Sequence, residues 1–479
     1  MIMHLFKKTI IATVIGSSII YSSCKVPAST AAPAQKTPPT SYGNTQDTTN
    51  AAAIPWQSFF TDKYLTNLID TALSNNQELL TTLQEIEIAR NDVRVREGQL
   101  RPFVMGGATA GIDKVGRYTS QGAGDASTEI KPGQPVPDWL QNYAFGANAT
   151  WEVDIWKKLR NSKKAAVARY LSTIEGKNFI VTNLVAEIAN DYYELRALDN
   201  QLIIIRKAIG LQDSALEVMK IQKEASRVTE LAVKKFEAEV LNSQSLEFDI
   251  LQKIKQSENE INFLLGRFPQ PIERDTTTFL NLTPPFIQQG IPSQLLSNRP
   301  DIRQAELQLA AARLDVKVAR AEFYPSFNIS AAIGFNAFNP AFLVKFPESL
   351  VLSLAGDLAG PLINKSAIKA EYNSANARQL QAIYNYDKTV LNAYIEVSTE
   401  LSNISNLERK YALKSRQSDA LITSINISND LFKSARADYL EVLMTQRDAL
   451  DAKLELIETR LNQFNAVTNI YRSLGGGWK

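Results

Sequence analysis

The chain has 479 residues, with 52 Lys and Arg against 50 Asp and Glu, and one histidine and one cysteine. These two are His4 and Cys24, so a body that starts after a cleaved leader carries no histidine and has its only thiol at its first residue. His-dependent triads, His/Cys zinc sites, haem ligation and disulfide frameworks are thereby excluded. A charge balance near zero likewise excludes the basic footprint of a nucleic-acid binder.

Residues 1–23 predict a secretory signal peptide. Lys7 and Lys8 form a positive start, and 9–20 is an apolar stretch too short to span a bilayer. Tyr21-Ser22-Ser23-Cys24 then resembles the lipobox at which a bacterial lipoprotein is cleaved and its cysteine acylated. Tyr21 stands where that pattern prefers Leu, and an ordinary cleavage site with an incidental cysteine is the alternative. Residues 24–52 are rich in Pro, Ser, Thr and Ala without apolar period, which predicts a lipidated, flexible N-terminal tether. Two or three acyl chains give stable membrane attachment.

The body contains the same plan twice. Ala89-Arg90-Asn91-Asp92-Val93-Arg94-Val95 recurs as Ala312-Arg313-Leu314-Asp315-Val316-Lys317-Val318, and Pro102 falls on Pro325, at an offset of 223. Thr182, Leu184, Ala186 and Ile188 fall on Thr389, Leu391, Ala393 and Ile395 at an offset of 207. Leu231, Val233, Leu241 and Leu265-Gly266 fall on Leu440, Val442, Leu450 and Leu474-Gly475 at 209. The drop in offset locates about 16 extra residues in the first half, within the Gly/Pro/Ser-rich stretch 113–140, which predicts a long loop.

The first repeat, 53–290, opens with helical spacing over 61–101, ended by Pro102. A β-hairpin follows over 103–153, in which Tyr143, Phe145, Ala147, Ala149, Trp151 and Val153 share one face and Asn142, Asn148, Thr150 and Glu152 the other. A long helix pair over 160–266 leads into an equatorial linker. Its apolar seam runs Leu184, Ile188, Tyr192, Leu195, Leu198, Leu202, Ile205, Ile209. The second repeat, 291–479, has a helix over 300–324, a hairpin over 326–358 and a helix pair over 366–474. In its hairpin Phe327, Ile329, Ala331, Ile333 and Phe335 share a face, as do Leu350, Leu352 and Leu354. Leu440, Leu443, Arg447, Leu450, Leu454, Ile457, Leu461 and Phe464 step by three and four, a heptad pattern. Pro300 and Asp301 suit the first turn of a helix and read as structural. Trp151, Trp156, Phe323 and Tyr324 lie at the helix–strand junctions, where they suit either an interfacial aromatic belt or core packing.

Strands with one apolar face carry the weak signature of a transmembrane barrel, although a half-buried soluble sheet has the same alternation. Helices of this length pack side by side as a coiled-coil array. Four strands cannot close a barrel, and an open edge is not viable in lipid, so the chain is expected to oligomerise. The predicted fold class is mainly α with a transmembrane β-barrel portion: a coiled-coil helical barrel plus four strands per chain in two tandem repeats, of which three copies would give a trimer of 12 strands.

Four segments resemble the TolC-like outer-membrane efflux factors, and among them the lipid-anchored OprM/NodT-type branch. They are Trp151-Glu152-Val153-Asp154-Ile155-Trp156 with Leu159-Arg160, and Arg299-Pro300-Asp301-Ile302 with Ala305-Glu306 and Phe323-Tyr324-Pro325-Ser326. The others are Gly360-Pro361-Leu362, and Ala437-Asp438-Tyr439-Leu440-Glu441-Val442-Leu443 through to Gly475-Gly476-Gly477-Trp478. The resemblance spans about 53–479. It implies a homotrimeric tube, lipid-anchored at Cys24 in the bacterial outer membrane and extending into the periplasm. Such a tube has no catalytic centre, metal or cofactor. It takes small molecules (drugs, toxic compounds or metal ions) from an inner-membrane RND-type pump through a periplasmic adaptor, in contact with outer-membrane lipid and with no nucleic acid.

The same resemblance places a periplasmic gate at Leu440, Glu441, Met444, Arg447 and Asp448, with Arg447 held by Glu441 or Asp448 across or along the helix. Met444 stands where many relatives carry an aspartate, so the usual acidic ring is absent or displaced to Glu441. The alternative is that these residues cap and solvate a helix start. The first-half equivalent, around Arg227, Thr229 and Glu230, is the expected adaptor-contact tip. A protein-secretion exit duct and a non-conducting coiled-coil lipoprotein scaffold remain alternatives. Met105, Met219 and Met444, the only methionines after the leader, offer no copper path. Asp387 and Glu396 read as solvated helix faces.

Overall fold

The computed structural model describes residues 39–42, 49–275, 277–285, 290–361, 363, 365–434 and 436–479. The expected signal peptide, Cys24 and most of the tether lie outside the described residues, as does Leu362. The principal elements are α1 (Lys63–Asn75), α2 (Gln77–Gly98), β1 (Phe103–Asp113), β2 (Leu140–Val153), α3 (Lys158–Glu224) and α4 (Glu230–Leu264). They continue with α5 (Pro300–Ala321), β3 (Ser326–Ala337), β4 (Leu350–Ala359), α6 (Ser366–Lys433) and α7 (Tyr439–Ser473). The two halves have helix pairs of nearly equal length, 67 and 35 residues against 68 and 35. At 1.5 Å per residue the longer ones run about 100 Å.

The chain divides into two compact units. The described residues of one fall in 88–170 and 307–383, those of the other in 34–87, 171–306 and 384–479. The first unit holds a four-stranded antiparallel sheet in the order β1-β2-β3-β4. Gly146 pairs with Gly334 at its centre, beside the stacked rings of Phe145 and Phe335 at 5.4 Å. The 113–140 stretch, expected as a loop, contains a helix Ser120–Ser127 capped by Thr119 and a small ribbon Glu129–Lys131 with Gln134–Pro135. Arg117 orders it by donating to Asp138, to the Gly122 carbonyl at 3.3 Å and to the Val136 carbonyl at 3.4 Å. Local bonds of this kind leave no periodicity to read in advance.

The second unit packs α1, α3, α4 and α7 around one core that includes Leu65, Ile69, Ile188, Tyr192, Leu195, Ile261, Ile457 and Phe464. The expected helix over 61–101 is two helices. Asn76 has extended backbone between them; its Oδ1 accepts from Leu79 N at 3.0 Å and its amide donates to the Leu264 carbonyl at 2.9 Å. An asparagine that caps the following turn interrupts a helix without disturbing its apolar spacing. The linker that follows α4 is pinned by two arginines. Arg196 donates to Asp62 at 3.1 Å, Asp275 at 3.3 Å and Thr277 Oγ1 at 2.9 Å. Arg274 reaches Asp199 at 2.9 Å and Glu258 at 2.8 Å.

Candidate functional site

The strand register decides which side chains share a face. Val104, Ala108, Ala110 and Ile112 of β1 lie opposite Ala149, Phe145, Tyr143 and Gln141. Ala149, Ala147 and Phe145 lie opposite Ala331, Ile333 and Phe335, and these oppose Leu354, Leu352 and Leu350. One face is therefore apolar through all four strands. The other carries Thr109, Asn148, Thr150, Asn328, Ser330, Asn336, Ser353 and Asp357 among mostly small residues, with Phe103, Met105 and Val351 also on it. The apolar face is not covered: Leu354 and Leu358 retain 80% and 66% of their surface, Ile333 57%. An uncovered apolar face in register over four strands fits acyl chains, not water. Among the described residues β1 and β4 each have only one strand partner.

At the foot of the sheet the motif 151–160 is a lock. Asp154, almost fully buried, accepts from Leu159 N and Arg160 N at 2.9 Å each and from Arg160 Nε at 3.0 Å, capping the first turn of α3. The junction aromatics divide between the two expected roles. Trp151 and Trp156 are exposed, with their indole N–H groups donating to the Leu100 and Pro325 carbonyls at 3.1 and 2.8 Å, and Trp156 stacks on Tyr324 at 4.7 Å. This is belt geometry: an apolar ring outside, its polar edge satisfied. Phe323 instead is buried edge-to-face on Tyr372 at 5.8 Å.

In the second unit each helix pair turns on the same device. Arg227 N donates to the Gln222 carbonyl at 2.9 Å, and 209 residues later Arg436 N donates to the Leu431 carbonyl at 2.9 Å. Ser226 takes the left-handed conformation at φ 57° in the first turn. Thr229 caps α4, accepting from Ala232 N at 3.4 Å, and Glu230 pairs with Lys223 across the turn, which holds its carboxyl below the usual range. Arg227 is exposed and makes no ion pair among the described residues. Val228, Phe432 and Tyr439 pack on a small core of Leu216, Met219, Val233, Phe236 and Leu443.

The structure brings Leu440, Glu441, Met444, Arg447 and Asp448 onto one exposed stripe of α7, while Val442, Leu443, Ala449 and Leu450 on its opposite side are buried. The heptad reading is corrected in one respect. Leu443, Leu450, Ile457 and Phe464 are buried in the protomer, but Leu440 and Arg447 face out of it. Among the described residues Arg447 forms no ion pair with Glu441 or Asp448, so the expected link along the helix is not made within the protomer. The stripe continues through the exposed Asp451, Glu455 and Glu458, which the three–four spacing of acids after Asp448 makes visible in the sequence. Partial burial pushes the Asp451 carboxyl up, Arg447 opposing and Asp448 and Glu455 reinforcing. No cluster of three or more His, Cys, Asp or Glu able to hold a metal occurs among the described residues.

The Arg299-Pro300-Asp301 segment is a buried anchor. Arg299 Nε and Nη2 grip Asp301 at 3.0 and 2.7 Å, and Nη1 reaches Glu396 at 2.7 Å and the Ser473 carbonyl at 2.8 Å. Glu396 is thus a partner of a buried guanidinium, not merely a solvated acid, and one Asp387 oxygen is buried without a partner.

The model of the family "Outer membrane efflux protein" matches residues 68–267 and 291–476. The chain is 26% identical over 425 residues to the pyoverdine export outer membrane protein OpmQ of Pseudomonas aeruginosa, covering 88% of this chain and 87% of that one. It is 25% identical over 428 residues to the cation efflux system protein CusC of Escherichia coli O6:H1, covering 88% of each. The crystal structure of the open state of the Neisseria gonorrhoeae MtrE outer membrane channel superposes with a TM-score of 0.82 at 22% identity, over 95% of this chain and 99% of that one. With the family model matched across both halves, the chain belongs to the outer membrane efflux protein family.

Proposed function

We propose that three copies of this chain close into one conduit through the outer membrane and into the periplasm. It passively conducts small molecules that an inner-membrane pump expels and a periplasmic adaptor transfers. The sheet carries this reading. Its apolar face is continuous, and β1 and β4 each keep an unpaired edge that hydrocarbon does not tolerate. Pairing β4 of one copy with β1 of the next satisfies both edges, and three copies make twelve strands, within the range of membrane barrels. The small and polar face then lines the lumen, where nothing is built for chemistry; the family is one of channel proteins, not enzymes.

The exposed stripe Leu440, Glu441, Met444, Arg447 and Asp448 is the proposed periplasmic gate, since three copies of it around an axis bring like charges together. Arg227, Thr229 and Glu230 form the proposed adaptor-contact tip, and acylation of Cys24 the proposed anchor. Relatives named for pyoverdine export and for cation efflux share this scaffold, which favours selection of cargo in the pump and a permissive channel here. The test is reconstitution of the full-length protein in planar bilayers. A heat-modifiable trimer with ion-conducting events is expected; a monomer that leaves the bilayer silent overturns the reading.

A further inference from the structure

Beyond conduction, the helical unit contains a cavity of about 320 Å³, open on one side and lined by α3, α6 and α7 of a single chain, at the low end of volumes that hold small ligands. Its chemistry is graded along its length. α3 and α7 run antiparallel there, with Ile205 packed on Leu450 and Leu216 near Leu443. That pairing puts Lys207 and Lys453 together at one end, and Val218 and Ile425 at the other. Neither lysine has an ion-pair partner among the described residues. Between the ends, Gln212 and Gln446 line the wall. Gln212 is only 2% exposed, and the side-chain oxygens of both are buried without any hydrogen-bond partner.

An unpartnered amide oxygen sealed in a cavity wall is costly, and two of them in the wall of one cavity become acceptors for a ligand with hydroxyl or N–H donors once their side chains turn toward it. Two free ammonium groups at the same mouth favour a carboxylate, and Leu211, Val218 and Ile425 favour an apolar body. We propose that this cavity binds a hydroxylated, apolar monocarboxylate, its acid between Lys207 and Lys453, its hydroxyls on Gln212 and Gln446, and its apolar end toward Ile425. The site lies within one protomer, so each copy carries one, and occupancy does not depend on whether the channel conducts.

The test uses cholate, which combines an apolar skeleton, hydroxyls and one carboxylate, titrated calorimetrically below its micellar concentration into the full-length protein in nanodiscs. Saturable binding at one cholate per chain is expected. Lys207→Met with Lys453→Met should weaken it at least tenfold, as should replacing cholate by its methyl ester, and Gln212→Leu should weaken it severalfold. The lysine variants lie at the cavity mouth, and an unchanged melting curve verifies their folding; the methyl ester needs no variant at all. Absence of saturable binding, or equal binding of acid and ester, overturns the proposal, as does an affinity unaltered in the double-lysine variant.

Discussion

Asn76 and Arg299 stand 223 residues apart and make the same contact: Asn76 donates to the Leu264 carbonyl at 2.9 Å, and Arg299 donates to the Ser473 carbonyl at 2.8 Å. The two acceptors are 209 residues apart, the offset at which the long helix pairs repeat, and each is the last residue of its helix or next to it. The following glycines are also equivalent. Gly266 and Gly475 have φ of +66° and +92°, and a Cβ on them would meet the Asn75 and Asn298 carbonyl oxygens at 2.4 and 2.6 Å. The pseudo-symmetry of the sequence is thus conserved as a contact, with different chemistry in each half.

That difference predicts unequal costs. Asn76→Ala removes one cap and one buried hydrogen bond, a loss of about 1–2 kcal/mol. Arg299→Ala also strands Asp301 and Glu396, and removing one partner of a buried ion pair costs about 3–5 kcal/mol; the exposure of Glu396 places the result at the lower end. Thermal melting of the purified protein should therefore rank Arg299→Ala below Asn76→Ala, and the reverse order would contradict the anchor role.

The centre of the sheet predicts a second contrast. A Cβ on Gly146 would sit 2.4 Å from the Ile333 carbonyl oxygen, and one on Gly334 2.5 Å from that of Phe145, whereas Gly107 has nothing within 4 Å. Gly146→Ala or Gly334→Ala should force β2 and β3 apart and reduce the heat-modifiable trimer on gels. Gly107→Ala should leave it intact.

Because Leu440 and Arg447 project from the protomer with no ion pair inside it, Leu440→Ala combined with Arg447→Ala should widen the proposed gate. Single-channel conductance in planar bilayers should rise severalfold without loss of trimer. Unchanged conductance would move the constriction elsewhere.

Asp191, on α3, supplies a pH test. Burial, then the Glu260, Glu187 and Glu194 carboxylates, push its own carboxyl up to about 7. An acid whose folded pKa exceeds its unfolded one binds its proton more tightly when folded, so its contribution to stability is greatest at low pH. That contribution falls by about 1.4 kcal/mol per pH unit per chain between roughly pH 4 and 7. Asp191→Asn should flatten this part of the stability profile and raise the melting temperature at pH 8. An identical profile for variant and parent would refute the shift.

Much of the fold was legible because its signals are local and repeated. The period-two alternation of 142–153 and 327–335, the seam from Leu184 to Ile209, the prolines at 102 and 325 and the offsets of 223, 207 and 209 each reflect backbone geometry that neighbouring residues impose on one another. The candidate gate was legible only through resemblance. Its residues are ordinary helix formers, and nothing in Arg447 or Met444 distinguishes a lumen-facing side chain from a solvated one. Phe323 was ambiguous with Trp151 for the same reason, since both are aromatics at a helix–strand junction.

By itself, then, the sequence determined the two repeats, the strand faces and the exclusion of His/Cys zinc, disulfide and histidine chemistry in the body, all of which follow from periodicity or from which side chains exist. The tertiary structure alone decided that α7 buries Leu443, Leu450, Ile457 and Phe464 and turns Leu440 and Arg447 outward. It alone decided that the first helix breaks at Asn76 to reach a carbonyl 188 residues away, and that the side-chain oxygens of Gln212 and Gln446 end up buried without hydrogen-bond partners among the described residues. Such outcomes depend on contacts between distant segments, and a heptad written on one helix does not say which of its edges another helix will cover.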